Sequence, residues 1–307
     1  ALPDTGEKLM AVNIRTVEQQ ARADLISLLV RYALLIAIAL IFILPLLFMI
    51  MSSLKPDQQL LRDTASLRAF LPVGDLSLNN YNNAFNRVPL GQFIFNSVFV
   101  TVITLVLSLM FNSMAGFSFA VLQWRGKNII LAVVIATFIV PFETIAIPLL
   151  LIVNQLPWIG ANGLQIGWLN TYHVQIIPWI ADSLSIFLFY QYFRDLPKEL
   201  VEASKIDGAG FFQIYARVFL PISGPVIATV AILKFLAMWN QFLWPLLVVR
   251  TEQLRPVMLG VDYFFQLNVA WGEVMAYLST ITIPVLIFYL LLQRAFIQSI
   301  ASTGIKG

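Results

Sequence analysis

Three ionisable side chains, Glu143, Asp182 and Lys234, stand inside otherwise uncharged apolar runs. A charge at membrane depth is costly and by default marks a transport path, a proton relay or a pairing with another charge; the competing reading is a side chain that snorkels to an interface. Trp239, Asn240, Gln241 and Trp244 set aromatic faces beside amide donors, which suits sugar recognition or, alternatively, an aromatic belt at a membrane interface. The rest of the reactive repertoire is small. With no cysteine there are no disulfides, thiolate metal sites or thiol nucleophiles, and the single histidine, His173, cannot build a histidine metal site alone. No G-x-x-x-x-G-K-[ST] phosphate loop is present, so any ATP hydrolysis belongs to a separate subunit. No nucleophile–base pairing in the apolar runs points to chemistry on a substrate.

The elements that position these groups are membrane spans. Hydrophobic residues make up 59% of the 307 positions and charged residues 11%, against roughly 25% charged in a soluble domain. The net charge of +3 is small and the 19 basic residues are scattered between apolar blocks, which argues against nucleic acid and for topology signals facing membrane lipid. A crossing helix needs about 20 mostly apolar residues. The chain offers six such runs: Tyr32–Leu54, Phe93–Leu122, Asn128–Val153, Tyr172–Phe193, Ile222–Val249 and Val274–Gln293. The expectation is an all-α membrane protein of six transmembrane helices. Basic residues concentrate in the segments before the first span, after the second, fourth and sixth, including Arg125, Lys127, Arg194, Lys198, Lys205, Arg217 and Arg294. That bias places both termini in the cytoplasm. Residues 1–31 form a cytoplasmic N-terminal segment, read either as an interfacial helix or as a soluble lead-in. Residues 32–299 form the transmembrane domain and 300–307 a tail. The outer loop Met51–Arg87 has no evident domain character.

Two intramembrane patterns stand out. Thr104, Ser108, Asn112, Gly116 and Ala120 recur every four residues on the second span, a small and polar face that serves helix packing or lines a pore. Pro141 to Pro148 suggests a distorted helix bordering a cavity, because freed backbone groups need partners.

The longest charged stretch between spans is the loop 194–221. Pro197 suits a first helical turn. Leu196, Leu200, Val201 and Ser204 fall on one face, with Lys198, Glu199, Glu202 and Lys205 on the other. Gly208 and Gly210 then end that helix and allow a change of direction, before a second short helix and Leu220-Pro221. The spacing Glu202-Ala203, Asp207-Gly208-Ala209, Leu220-Pro221 and Pro225 resembles the EAA motif of binding-protein-dependent ABC importer permeases, with Ser204 where a second alanine is usual. Ser53-Leu54-Lys55-Pro56, Asn79-Asn80-Tyr81, Asn96-Ser97, Pro141-Phe142-Glu143, Asn170-Thr171 and Trp239 to Leu246 look like the carbohydrate branch of that family. Gly304-Ile305-Lys306-Gly307 resembles a tail that reaches between ATPase subunits. The segment Leu156–Gly167 looks like an insertion.

The resemblance implies a type I ABC importer permease fold in a bacterial cytoplasmic (inner) membrane. It implies ATPase coupling through Glu202, Ala203, Ser204, Asp207, Gly208, Ala209, Leu220 and Pro221, and a tail contact through Gly304, Lys306 and Gly307. The implied partners are a second homologous permease, two ATPase subunits that use ATP and Mg, and an extracytoplasmic solute-binding protein. This chain itself would bind no cofactor. The implied substrate is a sugar, oligosaccharide or related solute such as a glycerol phosphodiester or uronate chain. Asn112, Glu143, Asp182, Lys234, Trp239, Asn240, Gln241 and Trp244 remain the pore or substrate-path set. The alternative is an ion-gradient-driven secondary transporter with Glu143, Asp182 and Lys234 as relay groups.

Overall fold

The computed structural model describes the backbone of residues 5–160, 163–266 and 269–304, and the side chains of 24–160, 163–266 and 269–293. The chain divides into two compact units, Ala1–Asn80 with Trp271–Ser279 and Tyr81–Ala270 with Thr280–Gly307.

In the first unit, helix α1 (Thr5–Ser53) runs without a break through residue 31, so the expected N-terminal segment and the first span are one helix. Its stretch Asp24–Ser53 is long and apolar enough to cross a membrane. The following loop is more ordered than its composition suggests. It holds α2 (Asp57–Asp63), a 3-10 turn at Leu67–Phe70 and the start of α3 (Asn79–Arg87), organised around a buried ammonium. Lys55 Nζ donates to Asp63 Oδ2 (3.2 Å) and to the Arg68 carbonyl (2.5 Å). Gln59 Nε2 donates to the Val73 carbonyl (2.6 Å), and its Oε1 accepts the Asp75 N–H (2.8 Å). Asn80 Nδ2 donates to the Ser53 and Lys55 carbonyls (2.9 and 2.8 Å). Asp57 accepts the Trp271 and Gly272 N–H groups (3.0 and 2.8 Å), satisfying orphan donors at the first turn of a long helix that starts at Trp271.

Burial by itself pushes the Asp63 carboxyl up, but hydrogen bonds from Lys55 and Gln59 and the charges of Lys55 and Arg68 outweigh it and hold the group below its ordinary value. A depressed folded value means a stabilising contribution that is complete above the ordinary carboxylate range and is lost as pH falls through the folded value. Amide protection of residues 55–75, corrected for intrinsic exchange, should therefore hold from neutrality down to about pH 4 and fall below it. In Asp63→Asn protection should be lower at neutrality and lose that acid step.

The second unit carries α4 (Leu90–Val121), α5 (Lys127–Thr137), α6 (Phe142–Val153), the antiparallel strands β1 (Pro157–Gly160) and β2 (Gly163–Ile166), α7 (Tyr172–Ile176) and α8 (Ser183–Arg194). Then follow α9 (Glu199–Ile206), α10 (Phe211–Ile214), α11 (Leu220–Ile222), α12 (Gly224–Trp239), α13 (Leu243–Val248), α14 (Val257–Gly260) and α15 (Trp271–Gly304), whose first residues belong to the first unit. Besides α1, the described residues hold two more unbroken candidate spans, Leu90–Val121 and Trp271–Gln293. The third and fourth expected spans are bent pairs, α5 with α6 at 105° and Tyr172–Trp179 with α8 at 40°. The fifth, expected over Ile222–Val249, is instead split between α12 and the separate α13, and the apolar segment that pairs with α12, at 80°, is Phe211–Ile222 from the preceding loop. In the third expected span the break lies at Phe138–Pro141, so Pro141 ends it as the N-cap of α6, and Pro148 sits inside α6. In the fifth, Pro225 enters at the first turn of α12, where its missing N–H is harmless, and the segment before it is turned aside.

Side-chain contacts give the direction of each span. Tyr172 OH donates to Asn96 Oδ1 (2.7 Å), and near the other end the Phe117 and Phe193 rings meet at 6.2 Å. Tyr172–Arg194 therefore runs parallel to α4, and α5–α6 must return the chain across the unit. Val226 and Val230 pack with Phe117, whereas Met238 packs with Val100 and Ile176, so α12 runs the opposite way. The loop 194–221 consequently lies at one end of the unit, and the strands with residues 249–257 lie at the other.

The small and polar face of α4 is a packing seam within this unit. α8 lies along it, and a Cβ built on Gly116 would stand 2.5 Å from the Phe189 Cβ and 2.9 Å from the Tyr190 nitrogen. Neither atom is the end of a flexible side chain. Gly116→Ala should therefore force the helices apart at a cost of about 1–3 kcal/mol or more, read as a lower apparent Tm of the detergent-solubilised complex. An unchanged Tm would show that α8 slides freely at this point.

Candidate functional site

Asp182 and Lys234, 52 positions apart, are paired. Lys234 Nζ donates to Asp182 Oδ2 at 2.7 Å, with side chains 7% and 32% exposed. Asp182 is also the N-cap of α8: its Oδ1 accepts the Ser185 N–H and its Oδ2 the Ser185 hydroxyl, both at 2.9 Å. Asn112 holds the break in the chain from the α4 side. Its Nδ2 donates to the Ile180 carbonyl (3.0 Å) and Ser108 Oγ (2.7 Å), and its Oδ1 accepts the Asp182 N–H (3.2 Å). The backbone groups freed by the bend thus find side-chain partners, as a break at membrane depth requires. The cluster ties α4, α8 and α12 together between the aromatic cluster around Phe117 and the Val100–Ile176–Met238 cluster. The sequence signal for this helix start is Asp182 itself, an aspartate placed directly ahead of an apolar run.

The other path candidates are divided between interior and surface. Trp244 is fully buried, donates from Nε1 to the Val174 carbonyl (2.9 Å) and packs against Phe142 and Trp179. Trp239 is buried and stacks on Phe235. Neither indole presents a face outside the unit. Asn240, exposed, caps α12 through its Nδ2 to the Leu236 carbonyl (2.9 Å), and Gln241 is half-buried in the break before α13. Glu143 is exposed in the first turn of α6, where a helix N-terminus favours a carboxylate, and forms no hydrogen bond or ion pair among the described residues.

In the loop 194–221 the expected inner face, Leu196, Leu200, Val201 and Ser204, is half-buried, and Lys198, Glu199, Glu202 and Lys205 are exposed. α9 ends in a Schellman turn: the Ala209 N–H reaches the Ser204 carbonyl (2.9 Å) and the Gly208 N–H the Lys205 carbonyl (3.0 Å), with Gly208 left-handed at φ 79°. Gly210 differs from expectation. It has an ordinary φ of −73° and serves as the N-cap of α10, its N–H donating to Gln213 Oε1 (2.9 Å). Lys205 Nζ sits 5.0 Å from the centre of the Phe211 ring across the turn. Ile214, Tyr215 and Phe219 root the segment in the core, and Tyr215 OH lies 2.7 Å from Ser113 Oγ on α4. Leu220 and Pro221 lie in α11, just before the bend into α12. Glu199, Glu202, Ala203 and Ile206, spaced i, i+3, i+4, i+7, form an outward stripe, and Ile206 is 86% exposed. Among the described residues Glu202 has no partner. Of the tail residues, Gly304 ends α15, while Lys306 and Gly307 lie outside the described residues.

At the opposite end, motif residues without an assigned role act as clamps. Asn96 Nδ2 donates to the Gln253 and Arg255 carbonyls (2.8 and 2.9 Å), and Ser97 Oγ accepts the Val257 N–H (2.8 Å). Asn170, left-handed at φ 61°, accepts the Arg250 and Thr251 N–H groups (3.0 and 2.9 Å) on Oδ1. The Asn96 and Ser97 bonds bridge about half the chain and those of Asn170 about a quarter, so local spacing carries no sign of them.

Comparison with known proteins places this architecture. The description "Binding-protein-dependent transport system inner membrane component" matches residues 112–302, which include both the ion-pair cluster and the 194–221 loop. The arabinooligosaccharides transport system permease protein AraQ of Halalkalibacterium halodurans is 34% identical over 272 residues, 88% of this chain and 93% of the relative. The lactose transport system permease protein LacG of Rhizobium radiobacter is 27% identical over 270 residues, again 88% and 93%. A chain of a bacterial ABC transporter involved in the import of the acidic polysaccharide alginate has the same fold, with a TM-score of 0.72 at 21% identity over 90% of this chain and 98% of that one. Bent apolar spans, a rooted and outward-facing loop at one end, and this span of matched sequence agree: the chain belongs to the family of binding-protein-dependent transport system inner membrane components and is a multi-pass permease subunit of an ABC importer.

Proposed function

We propose that this subunit forms half of the translocation path for a sugar or oligosaccharide delivered by an extracytoplasmic binding protein, and that α9 receives the motion of a separate ATPase subunit. The observation that carries the coupling role is the outward stripe of α9, which combines the unpaired Glu202 with exposed Ala203 and Ile206 on a helix rooted in the core. A short helix fixed at its base and carrying a mixed charged and apolar face can transmit a push between two proteins. The chain hydrolyses no ATP itself, its partner in the membrane is a second homologous permease, and both termini are cytoplasmic. The relatives named for arabinooligosaccharides and lactose support the carbohydrate class.

In this reading Asp182 and Lys234 act as a structural ion pair and not as relay groups, a role their 2.7 Å contact supports. Glu143, Asn240 and Gln241 are the path candidates with side-chain surface available to a solute. Reconstitution with the companion permease, the ATPase and a panel of binding proteins tests the reading. An oligosaccharide-loaded binding protein should stimulate ATP hydrolysis and drive uptake. Uptake that follows an ion gradient and ignores ATP would overturn it.

A further inference from the structure

The β1–β2 hairpin, at the end of the unit opposite the 194–221 loop, has a face no element of its unit covers. Pairing sets Pro157 opposite Ile166 and Ile159 opposite Leu164. These four share one face, and Ile159, Leu164 and Ile166 are 85%, 75% and 77% exposed. The inner face is the packed one. Trp158 lies 4.6 Å from the His173 ring, Trp168 approaches that ring edge-on at 5.1 Å, and Trp168 Nε1 donates to the Pro157 carbonyl (3.2 Å). A hairpin standing in water turns polar residues outward. This one turns an unbroken apolar face outward, a pattern that marks a contact surface.

We infer that the outward face of this hairpin rests on the lipid headgroup–acyl boundary of the leaflet opposite the 194–221 loop, as an interfacial anchor for the adjoining ends of α6 and α7. Three observations select lipid over a protein. No Asp, Glu, Lys or Arg occurs from Thr144 through Ala181, so the hairpin and the helices joined to it bring no charged rim of their own of the kind a water-exposed protein interface carries; the charges at this end, Arg250, Glu252 and Arg255, belong to the segment after α13. The face continues an exposed apolar surface of a spanning segment: the Trp168 N–H donates to the Val153 carbonyl (2.9 Å) and the Gly167 N–H to the Leu156 carbonyl (3.0 Å), joining the hairpin to the last turn of α6, where Leu151 and Ile152 are also exposed. Trp158 and Trp168 meet around the His173 ring at its base, amphipathic rings of the kind that favour the interface. Depth follows from the backbone. A two-stranded sheet leaves unpaired edge groups that hydrocarbon cannot satisfy, so the hairpin lies about 5–10 Å into the boundary and not in the bilayer centre.

The native chain has no cysteine, so Leu164→Cys and Ile166→Cys can each take an environment-sensitive fluorophore in the assembled complex in phosphatidylcholine nanodiscs, with the parent chain as background. Labels at both positions should emit blue-shifted light, resist quenching by aqueous iodide, and be quenched several-fold more by lipids spin-labelled near the headgroup than by lipids labelled at the acyl terminus. Strong iodide quenching would show a water-facing hairpin and overturn the inference. Protection from both iodide and spin-labelled lipid would show a protein cover, from the companion permease or the binding protein, and would overturn it equally. Strongest quenching from acyl-terminal labels would place the hairpin in the bilayer core and also overturn it. All of these readouts report location alone, so they are independent of the substrate and of the coupling role of α9.

Discussion

Glu202→Lys should weaken the hold of the ATPase subunit on this permease by about tenfold to a hundredfold, the loss of one charge-assisted hydrogen bond of about 1.5–3 kcal/mol. Transport should fall with it. The carboxylate is exposed and makes no bond among the described residues, so its reversal leaves α9 intact. Gly208 tests the same helix by another route. No atom lies within 4 Å of a Cβ built there, so steric crowding plays no part, and the left-handed φ of 79° alone opposes a side chain. That conformation costs roughly 1–2 kcal/mol for an L-residue, enough to open a two-bond turn and re-aim α9. Gly208→Val should release the ATPase more completely than Gly208→Ala, and Gly208→Asn least, because asparagine tolerates the left-handed region. Recovery of the ATPase on the solubilised permease measures all four variants, with membrane insertion as the control. Full recovery and full transport in both Glu202→Lys and Gly208→Val would remove the coupling role from this loop.

Separating Asp182 from Lys234 by Asp182→Asn should destabilise the permease by about 3–5 kcal/mol, because it leaves the buried Lys234 ammonium uncompensated. Changes at the two partners are not equivalent. In Asp182→Asn the side chain still caps Ser185, but the Lys234 ammonium, 7% exposed, loses its only described acceptor. In Lys234→Met the carboxylate keeps both Ser185 bonds and is 32% exposed. Asp182→Asn should be the more damaging. The double variant should recover most of the loss, since it leaves no bare charge. A double-mutant cycle on unfolding of the detergent-solubilised protein isolates the coupling energy. Additive effects of the two changes would show that the pair contributes nothing as a pair.

Which parts of this molecule sequence alone determines follows from the range of the forces involved. Apolar runs long enough to cross a bilayer show the spans, since lipid selects composition over some 20 residues whatever surrounds them. The two faces of α9 and its glycine stop are equally local: Leu196, Leu200, Val201 and Ser204 turn inward because 3.6-residue periodicity puts them there, and Gly208 is left-handed because the Schellman bonds close within six residues. Tertiary structure decided what each polar group in these runs meets. Glu143, Asp182 and Lys234 look alike as isolated charges in apolar runs, yet two of them are paired across 52 positions and the third is exposed without a described partner. Trp239 and Trp244, suited by composition to a sugar, are buried, because the packing of α12 and α13 turns them inward. Asn96, Ser97 and Asn170 bond to backbone as many as 160 residues away, and the insertion at 156–167 is a hairpin whose apolar side faces outward. Periodicity records which face of a helix is apolar. Which helix meets that face depends on the bends between spans, and those are settled only when the whole bundle packs.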